Sequence, residues 1–200
     1  AELNITFMIF TRKDLQEYLK RDNLGFGSQT FYKRMIKRLG GYENYYIYDF
    51  FRVLRHYEFY LNLEKRTLLE RVFLLYWKYR YNHSRIKSNM FVAPNTFGPG
   101  VMIVHPGFLR CDSWIHIGEN CTVLPNVLFG KRNAMNFGSK CSINVGNNVY
   151  ISVGAIILGP ITIGDNVVIG AGSVVNKDIP NNVIVAGVPA KQIGFTLSTN

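Results

Sequence analysis

Apolar residues recur every six positions near the end of the chain: Val145, Ile151, Ile157, Ile163, Ile169 and Val175. Four residues after each stands another small or aliphatic one: Val149, Ala155, Ile161, Val167, Ser173 and Ile179. Neither the 3.6-residue turn of a helix nor the two-residue alternation of a strand keeps a period of six. A coil with three short flat faces per turn does, because every face buries the same two positions. The alternative is a parallel sheet of short apolar strands with Gly-rich turns. That sheet needs crossovers of about a dozen residues, and residues 143–180 have no room for them. The pattern predicts a parallel β-helix.

The same beat starts earlier. Phe91, Phe97, Ile103 and Leu109 set a first run, and Ile117, Val123 and Phe129 a second. The step from Leu109 to Ile117 is eight, which places two extra residues at a corner before Ile117. The step from Phe129 to Val145 is sixteen, so a loop leaves the coil around Lys131 to Ser142. After Val175 the pattern frays toward the segment Ala186-Gly187-Val188-Pro189-Ala190-Lys191.

Ahead of Asn89 the period is helical. Thr11 with Asp14 forms a capping box for a helix through about Lys20. Ser28 is the cap expected for a second helix, which Gly40-Gly41 stops. A third helix is expected over about Tyr42–Leu63 and a fourth from Leu63 or Glu64 to about Asn82. The chain therefore divides into a helical N-terminal domain, 1–89, and a β-helix domain with a closing segment, 90–200.

Charge follows that division. Residues 1–90 carry 17 Lys/Arg against 9 Asp/Glu and 20 of the 28 aromatic residues, while 91–200 carry 6 against 4. Cys111, Cys121 and Cys141 form no metal-ligand spacing, so no metal is expected, and their odd number points to a reducing compartment. No apolar run approaches the ~18 residues of a membrane span, and the first 30 residues show no signal-peptide pattern. A cytoplasmic location is expected.

The repeats, the stretch from Ile163 to Val175 and the Ala-Gly-Val-Pro-Ala-Lys ending resemble the hexapeptide-repeat acyltransferases. With a helical part ahead of Phe97-Gly98-Pro99-Gly100-Val101-Met102-Ile103-Val104-His105, the chain is similar to the serine acetyltransferases, and most similar to the bacterial polysaccharide O-acetyltransferases. The resemblance implies a mainly β fold: a left-handed parallel β-helix preceded by an α-helical N-terminal domain. It implies acetyl-CoA as co-substrate and His105 as general base, a role that an imidazole with a pKa near ~6.5 suits. By residues alone, His105 reads rather as a surface His that hydrogen-bonds its own Pro106-Gly107 turn. His116, in the inserted corner, reads as solvated, and His56 and His83 as helix-face residues.

Some features depart from serine acetyltransferases. That family has an acidic residue directly before the catalytic His, where this chain has Val104, and another fifteen positions earlier, where this chain has Met90. It also has a second His in the extended loop, and none stands near Lys140 to Ser142. These losses favour a sugar hydroxyl over serine as acceptor. A backbone carbonyl or Asn95 would then orient His105. The loop Gly130–Lys140 reads either as a sugar contact or as an ordinary solvated loop.

For the donor, the resemblance implies a groove between neighbouring subunits. Small residues there, Ser152, Gly154, Gly170 and Ala186, would let pantetheine approach the backbone. Lys177 and Lys191 would meet phosphates, and Asn176 would add a contact. Each Gly read alone is as well explained by a turn of the coil. The resemblance further implies a homotrimer, with pairing of trimers into a hexamer left open. The basic aromatic N-terminal part reads as a solvated cap or as a contact with an anionic membrane face. No nucleic-acid motif is recognisable, so no nucleic-acid partner is expected. The expected activity is acetyl transfer to a sugar hydroxyl in capsule or cell-surface polysaccharide synthesis. The alternatives are serine O-acetylation in cysteine synthesis and a non-catalytic β-helix scaffold at a membrane surface.

Overall fold

The structure is a computed structural model describing residues 8–23, 31–132 and 142–196. The expected cap Ser28, Cys141 and most of the loop read as a sugar contact lie outside the described residues. Four helices come first: α1 (Arg12–Asn23), α2 (Phe31–Leu39), α3 (Glu43–Asn62) and α4 (Leu68–Ser88). Thr11 and Asp14 exchange the two hydrogen bonds of a capping box at 2.9 and 3.1 Å. α2 stops at Gly40, and Gly41 turns the chain with φ at +68°. α4 begins and ends about five residues later than its apolar period suggests. Thr67 and Glu70 form a second capping box, and Asn89 closes the helix in the left-handed conformation.

A three-faced parallel coil follows. One face stacks β1 (Met90–Val92), β3 (Leu109–Cys111), β6 (Leu128–Lys131), β9 (Ile156–Gly159) and β12 (Val174–Val175). A second stacks β4 (Ile115–Ile117), β7 (Ile143–Val145) and β10 (Ile161–Ile163). The third stacks β2 (Met102–Ile103), β5 (Thr122–Val123), β8 (Tyr150–Ile151), β11 (Val168–Ile169) and β13 (Val183–Gly187), and β14 (Ala190–Phe195) closes it antiparallel to β13. The predicted beat residues 145, 151, 157, 163, 169 and 175 are all buried.

The first coil differs from its reading in the sequence. Met90 and Val92 point inward and Phe91 does not, because Met90 pairs with Leu109 and Val92 with Cys111. Ile103 pairs with Val123 and Arg110 with Leu128, so the first coil spends seven residues between registers where the next spends five. The two extra residues therefore lie between Ile103 and Leu109, not before Ile117. His116 is the middle residue of β4, paired with Asn144, rather than part of an inserted corner. The second break falls where expected: β6 leaves the coil after Lys131, and the chain returns at Ile143.

The second corner is built from the same few residue types down the stack. Gly98, Gly118, Gly146 and Gly164 stack so closely that a Cβ on Gly118 would strike the Gly146 carbonyl oxygen. Asn147 accepts from the Glu119 amide at 2.8 Å, Asp165 from the Asn147 amide at 2.6 Å, and Asn181 from the Asp165 amide at 2.8 Å. Asn120, Asn148, Asn166 and Asn182 hold positive φ, which asparagine tolerates better than other side chains with a Cβ.

The helices and the coil share one apolar core: Ile47, Phe50, Phe51, Leu54 and Tyr57 of α3 join Phe97, Val101 and the inward coil residues. Arg55, fully buried, pins the junction. It donates to Asp22 at 2.7 Å, to Glu58 at 3.0 Å, and to the Phe97 and Gly98 carbonyls at 2.8 Å each. Asp22 accepts in turn from the Gly100 amide at 2.8 Å, and Glu58 from the Asn95 amide at 2.7 Å. Such a network is costly to break, because removing one charge leaves the others buried and unpaired.

Candidate active site

His105 stands on the two-residue bulge where the first coil turns from β2 toward β3. Its neighbours in sequence are half-buried, and its own side chain is 56% exposed. Nδ1 lies 3.0 Å from Oε1 of Glu43, the first residue of α3. A carboxylate only accepts, so in the neutral ring this hydrogen bond places the proton on Nδ1 and the lone pair on Nε2. That is the tautomer a general base needs. Arg55, three turns along the same helix, ties α3 to the turn at Phe97-Gly98 and thereby helps to set where Glu43 meets the coil.

Glu43 is absent from the residues the sequence singles out. Asn95, the orienting group considered there, faces elsewhere: its amide nitrogen donates to Asn62 and its Oδ1 accepts from Asn62, both at 2.9 Å. Met90 is buried in β1 and offers no contact to an acceptor. Little in the sequence points to Glu43, since its partner lies 62 residues away on another element.

The small residues separate into two groups. Ser152, Gly170 and Ala186 lie in one row on the corner that carries His105, joined by backbone bonds from Ser152 to Ile169 (3.0 Å) and from Gly170 to Val185 (2.8 Å). A Cβ on Gly170 would come within 2.9 Å of the Ala186 methyl, so this row is flat by necessity. Lys191, exposed, pairs across β13–β14 with Ala186 and brings a cation to the end of the row. Gly154 sits at the turn just after, with φ at +69° and open space where its side chain would be; here the requirement is the turn. Asn176 and Lys177 belong to the next corner, past β12, where the Asn176 carbonyl accepts from Arg132 at 2.9 Å. Within one chain they are not part of the row.

Cys111 and Cys121 are free, buried in the coil and held as thiols: burial pushes both up, Cys121 to about 12. Neither is placed to act as a thiolate nucleophile. Burial lowers His116, whose Nδ1 has no hydrogen-bond partner.

Residues 142–177 match the family model described as bacterial transferase hexapeptide (six repeats). Those residues, from β7 to β12, carry the repeat that this model describes. Over 92 residues, 41% of this chain and 44% of the other, the sequence is 41% identical to the galactoside O-acetyltransferase of Escherichia coli (strain K12). Over 114 residues, 56% of this chain and 41% of the other, it is 38% identical to a serine acetyltransferase of Buchnera aphidicola. The match thus spans less than half the length of these curated relatives. Among solved structures, the serine acetyltransferase from Brucella abortus strain S19 superposes with a TM-score of 0.61 at 25% identity, covering 92% of this chain and 69% of that one. The chain therefore shares the fold of that serine acetyltransferase, a helical part followed by a left-handed β-helix.

Proposed function

We propose that the protein is an acetyl-CoA-dependent O-acetyltransferase that acetylates a sugar hydroxyl in capsule or cell-surface polysaccharide synthesis. The observation that carries this reading is the Glu43–His105 pair, on the same corner of a hexapeptide coil as the flat row Ser152, Gly170 and Ala186. Nε2 of His105 takes the acceptor's hydroxyl proton as its oxygen bonds to the thioester carbonyl carbon. The carbon–sulfur bond then breaks, and the proton passes from Nε2 to the departing thiolate. Glu43 holds the ring and favours the transient imidazolium. The small row suits a pantetheine arm lying along the backbone, with Lys191 near its end and Asn176 and Lys177 supplied by a neighbouring subunit. A homotrimer provides that neighbour, and exposed apolar residues on the coil, including Tyr150, Val188, Ile193 and Phe195, suit subunit packing.

His105→Ala should lower kcat about 10²- to 10⁴-fold while acetyl-CoA affinity and assembly survive. An unimpaired variant would remove His105 from the chemistry. The second reading, serine O-acetylation, is favoured by the solved serine acetyltransferases that cover both coil and helices. Against it, Val104 offers no carboxylate for an amino-acid ammonium. Following free CoA with L-serine or with sugar acceptors separates the two. Release with serine alone would reverse the order.

A further inference from the structure

α4 is apolar on both sides. Trp77, Tyr81 and Ser84 turn toward α3 and the coil, and on the opposite side Leu68, Val72, Leu75, Tyr79 and Ile86 stand 61% to 82% exposed. Their spacing puts them in one stripe along 21 residues of helix, about 30 Å long. Arg71 and Lys78 are exposed along one margin. Along the other opens a cleft of about 470 Å³ lined by Arg38, Arg80, His83 and Lys87 together with Tyr45, Tyr46, Ser84 and Asp49. Arg80 and Arg52 share Asp49, whereas Arg38 and Lys87 meet no acidic side chain among the described residues.

We infer that the outward face of α4 docks on an anionic phospholipid surface, with the stripe in the acyl boundary and the cationic cleft on lipid phosphates. This goes beyond the acetyltransferase reading and does not depend on it. The charge pattern selects the occupant. α4 carries five basic residues and one acidic residue, Glu70, which is already engaged by Thr67 in the capping box. Two copies packed through this face would oppose cations to cations, while an anionic leaflet pairs the exposed Arg71, Lys78 and Lys87. Among the described residues no helix is long and apolar enough to cross a membrane, so the helix lies on the surface.

Flotation of the full chain with vesicles tests this. Phosphatidylcholine vesicles containing about 30% phosphatidylserine should carry the protein, and pure phosphatidylcholine vesicles should carry at least about tenfold less. Leu75→Glu/Tyr79→Glu, at exposed positions, should weaken binding about tenfold or more. Arg38→Gln and Lys87→Gln should each weaken it roughly fivefold. Circular dichroism melts should match wild type, and CoA release with a soluble acceptor should be unchanged in all variants. Failure of wild type to float with phosphatidylserine vesicles overturns the proposal, as does undiminished binding by Leu75→Glu/Tyr79→Glu. If that double variant instead dissolves a larger assembly seen by sedimentation, the face belongs to a second copy. Loss of CoA release in His105→Ala, by contrast, bears only on the catalytic reading.

Discussion

Two corners of the coil follow opposite rules. At one, Gly98, Gly118, Gly146 and Gly164 repeat down the stack, and Asn and Asp side chains spend their oxygens on the amides of the coil above. At the other, three coils keep small residues, Ser152, Gly170 and Ala186, and the first coil swells by two residues to present His105. The first corner spends Asn147, Asp165 and Asn181 on amides within the stack, and Glu119 and Asn120 on Arg21 of α1. The second leaves a flat backbone row and an imidazole with one free nitrogen. Regularity here marks what holds the fold, and departure from it marks where chemistry can be placed.

The junction that aligns the irregular corner should be the most sensitive point. Arg55→Met leaves Asp22 and Glu58 buried without their cation, at a cost of about 3–5 kcal/mol, or a fall in Tm on the order of 10 °C. Adding Asp22→Asn and Glu58→Gln should restore part of that loss. If thermal denaturation shows no loss for Arg55→Met alone, the network does not hold helices to coil.

The two corners can next be set against each other. Gly118→Ala pushes a methyl into the Gly146 carbonyl and should cost about 2–3 kcal/mol. Gly154→Ala meets open space and only the strain of φ at +69°, about 1–2 kcal/mol. Equal urea midpoints for the two variants would mean that the glycine stack is not under close contact.

The coil was legible in the sequence because six-residue spacing has one economical structural answer, and every beat residue from Val145 to Val175 is buried. The bulge was misplaced for a physical reason. Leu109 is inward, but it fills the first inward place on its face, and Cys111, a small apolar group there, fills the second. Counting aliphatic residues alone passes over the cysteine and shifts the insertion beyond it. The apolar period of α4 runs all the way round the helix and reads from Leu63 or Glu64, whereas only the Thr67–Glu70 box marks its true beginning. His105 was found through its motif. Glu43 was not, because contact between a helix start and a coil corner follows from packing by Ile47, Phe50 and Leu54 rather than from local spacing.

Glu43→Ala sharpens the reading of the irregular corner itself. A hydrogen bond to a charged group is worth about 1.5–3 kcal/mol. Both partners are more than half exposed, which weakens it, so kcat should fall about tenfold. KM for acetyl-CoA should hold steady, and Glu43→Gln, which keeps an acceptor for the Nδ1 proton, should recover part of the rate. Equal kcat in wild type and Glu43→Ala would make the contact incidental.

The smallest effect concerns the helix that carries Glu43. His56 of α3 stacks on Trp77 with ring centroids 4.3 Å apart and donates from Nδ1 to the Arg52 carbonyl at 2.7 Å. Burial, more than the nearby Arg52 cation, holds its pKa below the ordinary imidazole value. The unfolded chain, with a pKa near ~6.5, takes up a proton that the folded ring resists. The stabilisation is therefore complete above pH ~6.5 and is lost as pH falls through the folded value. His116 shifts in the same direction and adds to the slope, so a difference measurement is required. His56→Phe keeps the stack on Trp77 and removes the titration. Between pH 7.5 and 5.5, wild type should lose under about 1 kcal/mol more stability than His56→Phe, a Tm difference of about 2 °C. Identical slopes would place the acid sensitivity of the helical part elsewhere than at the stacked His56 ring.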